Sequence, residues 1–193
     1  GAEKPGLPVE TDGVSAPCST GDGIAASIAC TTIWSITDGA STKNPLKARY
    51  TLWLNHELDL LAMKAASLEL FGMHDFASFC RRKPNATTIR EVRDIQIKRN
   101  PIEENIVEVE LLADAFCHNM VRAIVGSLIA VGEKRQSLAE LKAMQESAVR
   151  GAKVKVIDPK GLTLDAISYP SDEKLGEQAQ RARRRRTAQE ISV

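Results

Sequence analysis

"ADAFCHNMVRAIVGSLIAVGE", residues 113–133, is the stretch whose reading decides the fold. At about 100° per residue, Met120, Val121, Ile124, Val125, Leu128 and Val131 fall on one broad stripe, which predicts a helix packing that face on a sheet. Two residues resist that description. Arg122 lies off the stripe in the first turns, and Gly126 interrupts the helix at a position where glycine costs about 1 kcal/mol relative to alanine. His118, Arg122 and Gly126 are spaced by four and so form a second stripe beside the apolar one. The glycine points to another chain segment coming close to the helix backbone. From pattern alone, Arg122 reads as a partly exposed residue whose stem covers apolar surface and whose head sits in water.

The neighbouring segments supply the rest of the architecture. "TIREVRDIQIKR" and "NIVEVELLADAF" read as two strands joined through "NPIEE", the second alternating Val107, Val109 and Leu111 against Glu108 and Glu110. Before them, Asp59 is placed to cap a helix over "LLAMKAASLELF" that Gly72 can end, and "HDFASFC" reads as a turn or one helical turn. After them, Ser137 and Glu140 stand in capping-box register for a further helix, and short strands near "AKVKVI" and "LTLDAISY" flank the turn "DPKG". Helix, hairpin, helix, helix and strand in this order predict an α+β fold, an antiparallel sheet with helices packed on one face. Residues 1–40, rich in Gly, Ser, Thr, Ala and Pro, have weak claims to a core; residues 41–170 form the domain; residues 171–193 are a basic tail without apolar periodicity, expected to be flexible.

A chain of 193 residues that is 43% hydrophobic can bury one sizeable core. Its 26 Lys and Arg against 25 Asp and Glu leave a net charge of +1, so any affinity for a polyanion has to come from local clusters. Two exist: Arg81, Arg82 and Lys83 after the aromatic segment, and Arg181 to Arg186 in the tail. No apolar run reaches the roughly 18 residues of a membrane span, and "GAEKPGLPVETDG" lacks the parts of a signal peptide, so a cytoplasmic protein is expected. Cys18, Cys30, Cys80 and Cys117 show no C-x-x-C pair and are expected to be free thiols. His74, Cys80, Cys117 and His118 lack paired-ligand spacing, and no metal site is expected.

Three segments carry a resemblance. "AFCHNMVRAIVGSLIAVG", "LFGMHDFASFCR" with "TTIRE", and Gly161 to Leu164, in this order, resemble the C-terminal half of tRNA pseudouridine synthases of the TruA family. That family carries an F-x-H-x-M-V-R-x-I-V-G helix, an upstream G-x-H-D-F-x-S-F segment and a downstream G-L-x-L strand. The resemblance implies a cofactor-free isomerase that converts uridine to pseudouridine in the tRNA anticodon stem-loop, at positions 38 to 40. It implies tRNA as partner, a homodimer, no metal and no membrane. Arg122 then matches the arginine that pairs with the catalytic aspartate, so that an opposite charge keeps the carboxylate ionised and oriented. His118, Arg81, Arg82 and Lys83 become candidate RNA contacts, each equally readable as a structural or solvated group. Asp75 and Ser78 are candidate RNA contacts as well, with a cap and a backbone bond as their alternatives.

The N-terminal part departs from the family. The motif G-R-T-D-A-G-V-H-A, which holds the catalytic aspartate, has no proper counterpart; its nearest text is "VETDGVSA", where Asp12 is a candidate nucleophile with Glu10 in the arginine position. The family's A-R-R-Y-x-Y-x-I strand is replaced by "ACTTIWSI", which puts Thr32 where a tyrosine stacks on the target base. The expectation is therefore a partial or degenerate synthase. The alternative is a non-catalytic tRNA-binding or dimerisation module of the same fold.

Overall fold

The structure, a computed structural model, describes residues 29–37, 39, 44–83, 86–149, 154–184 and 186–191. Asp12 and Cys18 lie outside them. The predicted hairpin is present: β4 (Ile89–Arg99) pairs antiparallel with β5 (Ile106–Ala113), with Ile97 opposite Val109 and Lys98 opposite Glu108. The alternation in β5 sorts its two faces. Val107, Val109, Leu111 and Ala113 are buried in the core, whereas Glu108 and Glu110 stand on the other face, where Lys98 Nζ lies 3.9 and 3.8 Å from them.

The strand β1 (Ala29–Thr37) lies inside the sheet, paired along both edges. One edge pairs antiparallel with β5. Its other edge is shared between β6 (Leu162–Ser168), antiparallel, and β2 (Leu52–Trp53), parallel. With β3 (Gly72–Asp75) beyond β4, the sheet has six strands among the described residues and is antiparallel except at β2. Residues 29–37 thus belong to the sheet although the sequence assigns them to the poorly matching N-terminal segment. "TTIWSIT" is β-prone without amphipathic alternation strong enough to identify it, because an interior strand takes its stability from neighbours distant in sequence. The segment "AKVKVI" corrects another expectation: residues 154–159 form no strand. They serve instead as irregular backbone against a helix, described below.

Helices α1 (Leu60–Leu68), α2 (Met120–Gly132) and α3 (Leu138–Ser147) build the core against the buried sheet face. Their starts follow the sequence. The Asp59 carboxylate accepts the Ala62 N–H at 3.0 Å, and Ser137 and Glu140 form a complete capping box. Ser137→Ala leaves the Glu140 N–H of α3 without its side-chain acceptor, and stability is expected to fall by about 1 kcal/mol. A urea midpoint unchanged by this substitution would show that the box is dispensable. After β6 the chain continues into α4 (Leu175–Arg183) and a short 3-10 turn, Ala188–Glu190.

Candidate active site

Every residue of α2 is buried except one, Arg122. The sequence predicts burial along one stripe, and the helix is instead enclosed on all sides, as expected where apolar residues run round the whole circumference. At its C-terminal end, a Cβ on Gly132 would meet Met63 Cγ at 2.8 Å, so α1 lies directly against it. In the middle, a Cβ on Gly126 would collide with the carbonyl oxygen of Lys155 and lie 3.1 Å from Ile157 Cγ2. The close approach inferred from the glycine is therefore made by residues 154–157.

Arg122 addresses the same segment one turn earlier. Its Nε donates to the Ile157 carbonyl at 2.7 Å, and its Nη groups make no hydrogen bond among the described residues. Gly126 lets the segment come close, and Arg122 binds it. The fork is thereby fixed at its root while its outer nitrogens stay available, the arrangement an arginine needs to grip a planar anion. Asp158 follows directly. The Lys160 backbone N–H holds its carboxyl below the ordinary carboxylate range, with the guanidinium of Arg122 contributing in the same direction. Asp158 lies in "DPKG", which the sequence identifies only as a turn; no local signal announces its proximity to Arg122.

His118 is not on the helix. Asn119, at the cap position, takes a left-handed conformation with φ of 69°, which asparagine tolerates better than most residues. The stripe of three inferred from spacing is therefore a pair, Arg122 and Gly126. His118 is tied in through its carbonyl, which accepts the Arg81 N–H at 2.9 Å. That bond brings Arg81, Arg82 and Lys83 beside the lead-in to α2, with Arg81 and Arg82 exposed. It also aligns the preceding residues, and Cys80 and Cys117 are joined as a disulfide with Cα atoms 5.8 Å apart. This corrects the expectation of free thiols at these two positions: 37 residues separate them in sequence, and tertiary contact alone makes them neighbours.

Asp75 and Ser78 occupy structural positions. The Asp75 carboxylate accepts the Ala77 N–H at 3.0 Å and the Thr88 hydroxyl at 2.5 Å, capping the 3-10 turn Phe76–Ser78. Ser78 is fully buried, and its hydroxyl donates to the Met144 carbonyl at 2.6 Å, fastening that turn to α3. Thr32 has its Cα opposite Leu111 on one side and Leu164 on the other. A surface hollow lined by His56, Asp59, Gly132 and Arg135 lies at the far end of α2 and does not include Arg122. Among the described residues, no group of three or more His, Cys, Asp or Glu is placed to hold a metal ion, and no helix is long and apolar enough to cross a membrane.

With this geometry in view, comparison with known proteins identifies the family. The profile described as tRNA pseudouridine synthase matches residues 66–170, from within α1 through β6. The chain belongs to the tRNA pseudouridine synthase family. Among its relatives, tRNA pseudouridine synthase A of Frankia casuarinae is 43% identical over 148 residues, 77% of this chain and 53% of that protein. The synthase A of Cutibacterium acnes is 39% identical over 159 residues, 82% and 57% respectively. That of Streptomyces avermitilis is 37% identical over 152 residues, 79% and 53%. The chain thus spans about half the length of these curated synthases. The matched region contains α2 with Arg122, the Phe76–Ser78 turn and the basic residues Arg81 to Lys83.

Proposed function

We propose that this chain supplies the arginine side of the active site of a tRNA pseudouridine synthase, acting on uridine in the anticodon stem-loop. The observation that carries this reading is Arg122: on a helix enclosed everywhere else, it alone reaches the surface, with Nε anchored and the rest of its fork open. Isomerisation requires the bond from the sugar to uracil nitrogen to break, the base to turn, and a bond from the sugar to carbon to form. A carboxylate beside the sugar performs that covalent or elimination chemistry. A guanidinium held at one nitrogen by Ile157 can pair with such a carboxylate through its remaining nitrogens, keeping it ionised and correctly turned. The rigid helix lowers the cost of holding that geometry.

Arg81, Arg82, Lys83 and His118 border the same helix start and are the phosphate contacts in this reading. The cap made by Asp75 and the buried bond of Ser78 favour their structural alternatives. No cofactor is required by this chemistry. A homodimer and a cytoplasmic setting belong to the proposal and follow from the family resemblance and the sequence.

The second reading, a non-catalytic tRNA-binding module, is favoured by the lack of G-R-T-D-A-G-V-H-A within these 193 residues. Both are tested by incubating the purified chain with anticodon stem-loop RNA and measuring binding and, by mass spectrometry, pseudouridine. Binding without turnover is expected, because holding the RNA does not replace the carboxylate at the sugar. Adding a separate polypeptide that carries the motif should restore turnover with Arg122 and lose it with Arg122→Lys. Turnover by the chain alone that disappears in Asp12→Ala would make "ETDGVSA" the working motif. Absence of RNA binding would overturn tRNA as the partner.

A further inference from the structure

The second charged cluster of the protein lies where β4, the end of β5 and the C-terminal segment meet. Asp114 is fixed by backbone there: its Oδ1 accepts the Glu91 N–H at 2.8 Å, and its own N–H donates to the Glu91 carbonyl at 3.1 Å. Its Oδ2 lies 2.7 Å from Nη1 of Arg186. That contact is one of charge without hydrogen-bond alignment, since Nη1 of Arg186 is buried and has no hydrogen-bond partner among the described residues. Arg186 is presented by a small folded knot, in which Arg184 and the Thr187 backbone both bond the Glu190 carboxylate.

Arg90 is the third member. It projects from β4 opposite His74 of β3, and its Nη1 donates to its neighbour's carbonyl, Ile89, at 2.6 Å. Its Nε is buried and makes no hydrogen bond among the described residues. Burial pulls its guanidinium below the ordinary arginine value, Asp114 acts in the opposite direction, and Arg186 adds to the lowering. Two guanidinium groups therefore act on one carboxylate whose oxygens are already engaged. One positive charge is left over, and a buried donor is left without an acceptor, a state that costs free energy until an acceptor arrives.

We propose that Arg90 and Arg186 form a phosphate-binding site for the RNA backbone, kept closed in the free protein by Asp114. A phosphodiester oxygen meets both needs, supplying the missing charge and an acceptor for Arg90 Nε, and it competes with Asp114 for Arg186. Asp114 lies four residues before His118 in the segment leading into α2, so the site borders the phosphate contacts already assigned. The C-terminal knot then works as a clasp: held on Asp114 when RNA is absent, and transferred to the phosphate when it binds. This inference rests on tRNA being the substrate.

The test measures binding of fluorescently labelled anticodon stem-loop RNA to the full chain across a salt series. Arg186→Gln is expected to reduce the slope of log affinity against log salt by about 0.7 to 0.9 and to weaken binding about threefold to tenfold at physiological salt. Arg90→Lys keeps the charge but loses Nε, and should weaken binding while leaving the slope unchanged. Asp114→Asn keeps the acceptor for Glu91 and removes the competitor for Arg186, so binding should tighten severalfold. Circular dichroism confirms that each variant folds. An unchanged slope in Arg186→Gln, with wild-type binding intact, would overturn this site alone and leave the cluster as a latch for the tail. Wild-type protein that binds no RNA would overturn both this site and the substrate reading on which it rests.

Discussion

Phe76→Ala is expected to destabilise the protein by about 3 to 5 kcal/mol, the range for emptying a fully enclosed aromatic site. Phe76 has no exposed surface. Its ring lies 5.9 Å from that of His74, edge on, and 6.0 Å from that of Phe79. Its backbone N–H donates to the Thr88 carbonyl at 3.0 Å. The residue thus anchors the turn between β3 and the Arg81 to Lys83 run, and truncation should loosen both. Urea denaturation reads the effect as a lowered midpoint, with Phe71→Ala as control. Phe71 is 57% exposed, and its truncation should change stability by no more than about 0.5 kcal/mol. Equal effects at the two positions would show that the turn does not depend on the buried ring.

Gly126→Ala sets two effects against each other. Alanine favours the helix by about 1 kcal/mol, but its Cβ would occupy the space of the Lys155 carbonyl oxygen. Backbone cannot swing aside as a side chain can, so residues 154–157 must retreat, and overpacking of this kind costs about 1 to 3 kcal/mol. The collision is expected to win, giving net destabilisation of up to about 2 kcal/mol. The retreat also draws the Ile157 carbonyl away from Arg122 Nε, which couples stability to the placement of the guanidinium. Gly132→Ala provides the contrast on the same helix. Its Cβ would meet Met63 Cγ and Sδ at 2.8 and 2.9 Å, the adaptable part of a thioether side chain, and a loss below about 1 kcal/mol is expected. If Gly126→Ala stabilised the protein, the segment would be free to move, and its anchoring of Arg122 would lose its basis.

These contrasts separate what was legible in sequence from what was not. The hairpin β4 to β5 was readable because alternation along Val107 to Leu111 is a local property of a half-buried strand. Asp59, Ser137 and Glu140 were readable because a cap joins residues three apart. Gly126 announced a close approach because a mid-helix glycine needs a reason, and the family motif singled out Arg122. Which segment comes close was not readable, since 154–157 follows Gly126 by a whole helix and a loop.

The sequence by itself determined the α+β class, the hairpin, the capped helices and the membership of Arg122 in a family motif, all carried by residues near one another along the chain. Only the tertiary structure decided that "TTIWSIT" lies inside the sheet with both edges paired, that Cys80 meets Cys117, that His118 leaves the helix, and that Arg186 reaches Asp114. Each of these depends on contacts between residues remote in sequence. The free energy of such a contact belongs to the pair and leaves no periodic trace in either segment alone. The same holds for α2: its apolar stripe predicted one buried face, whereas α1, the sheet and residues 154–157 together enclose it and leave Arg122 as its single outlet.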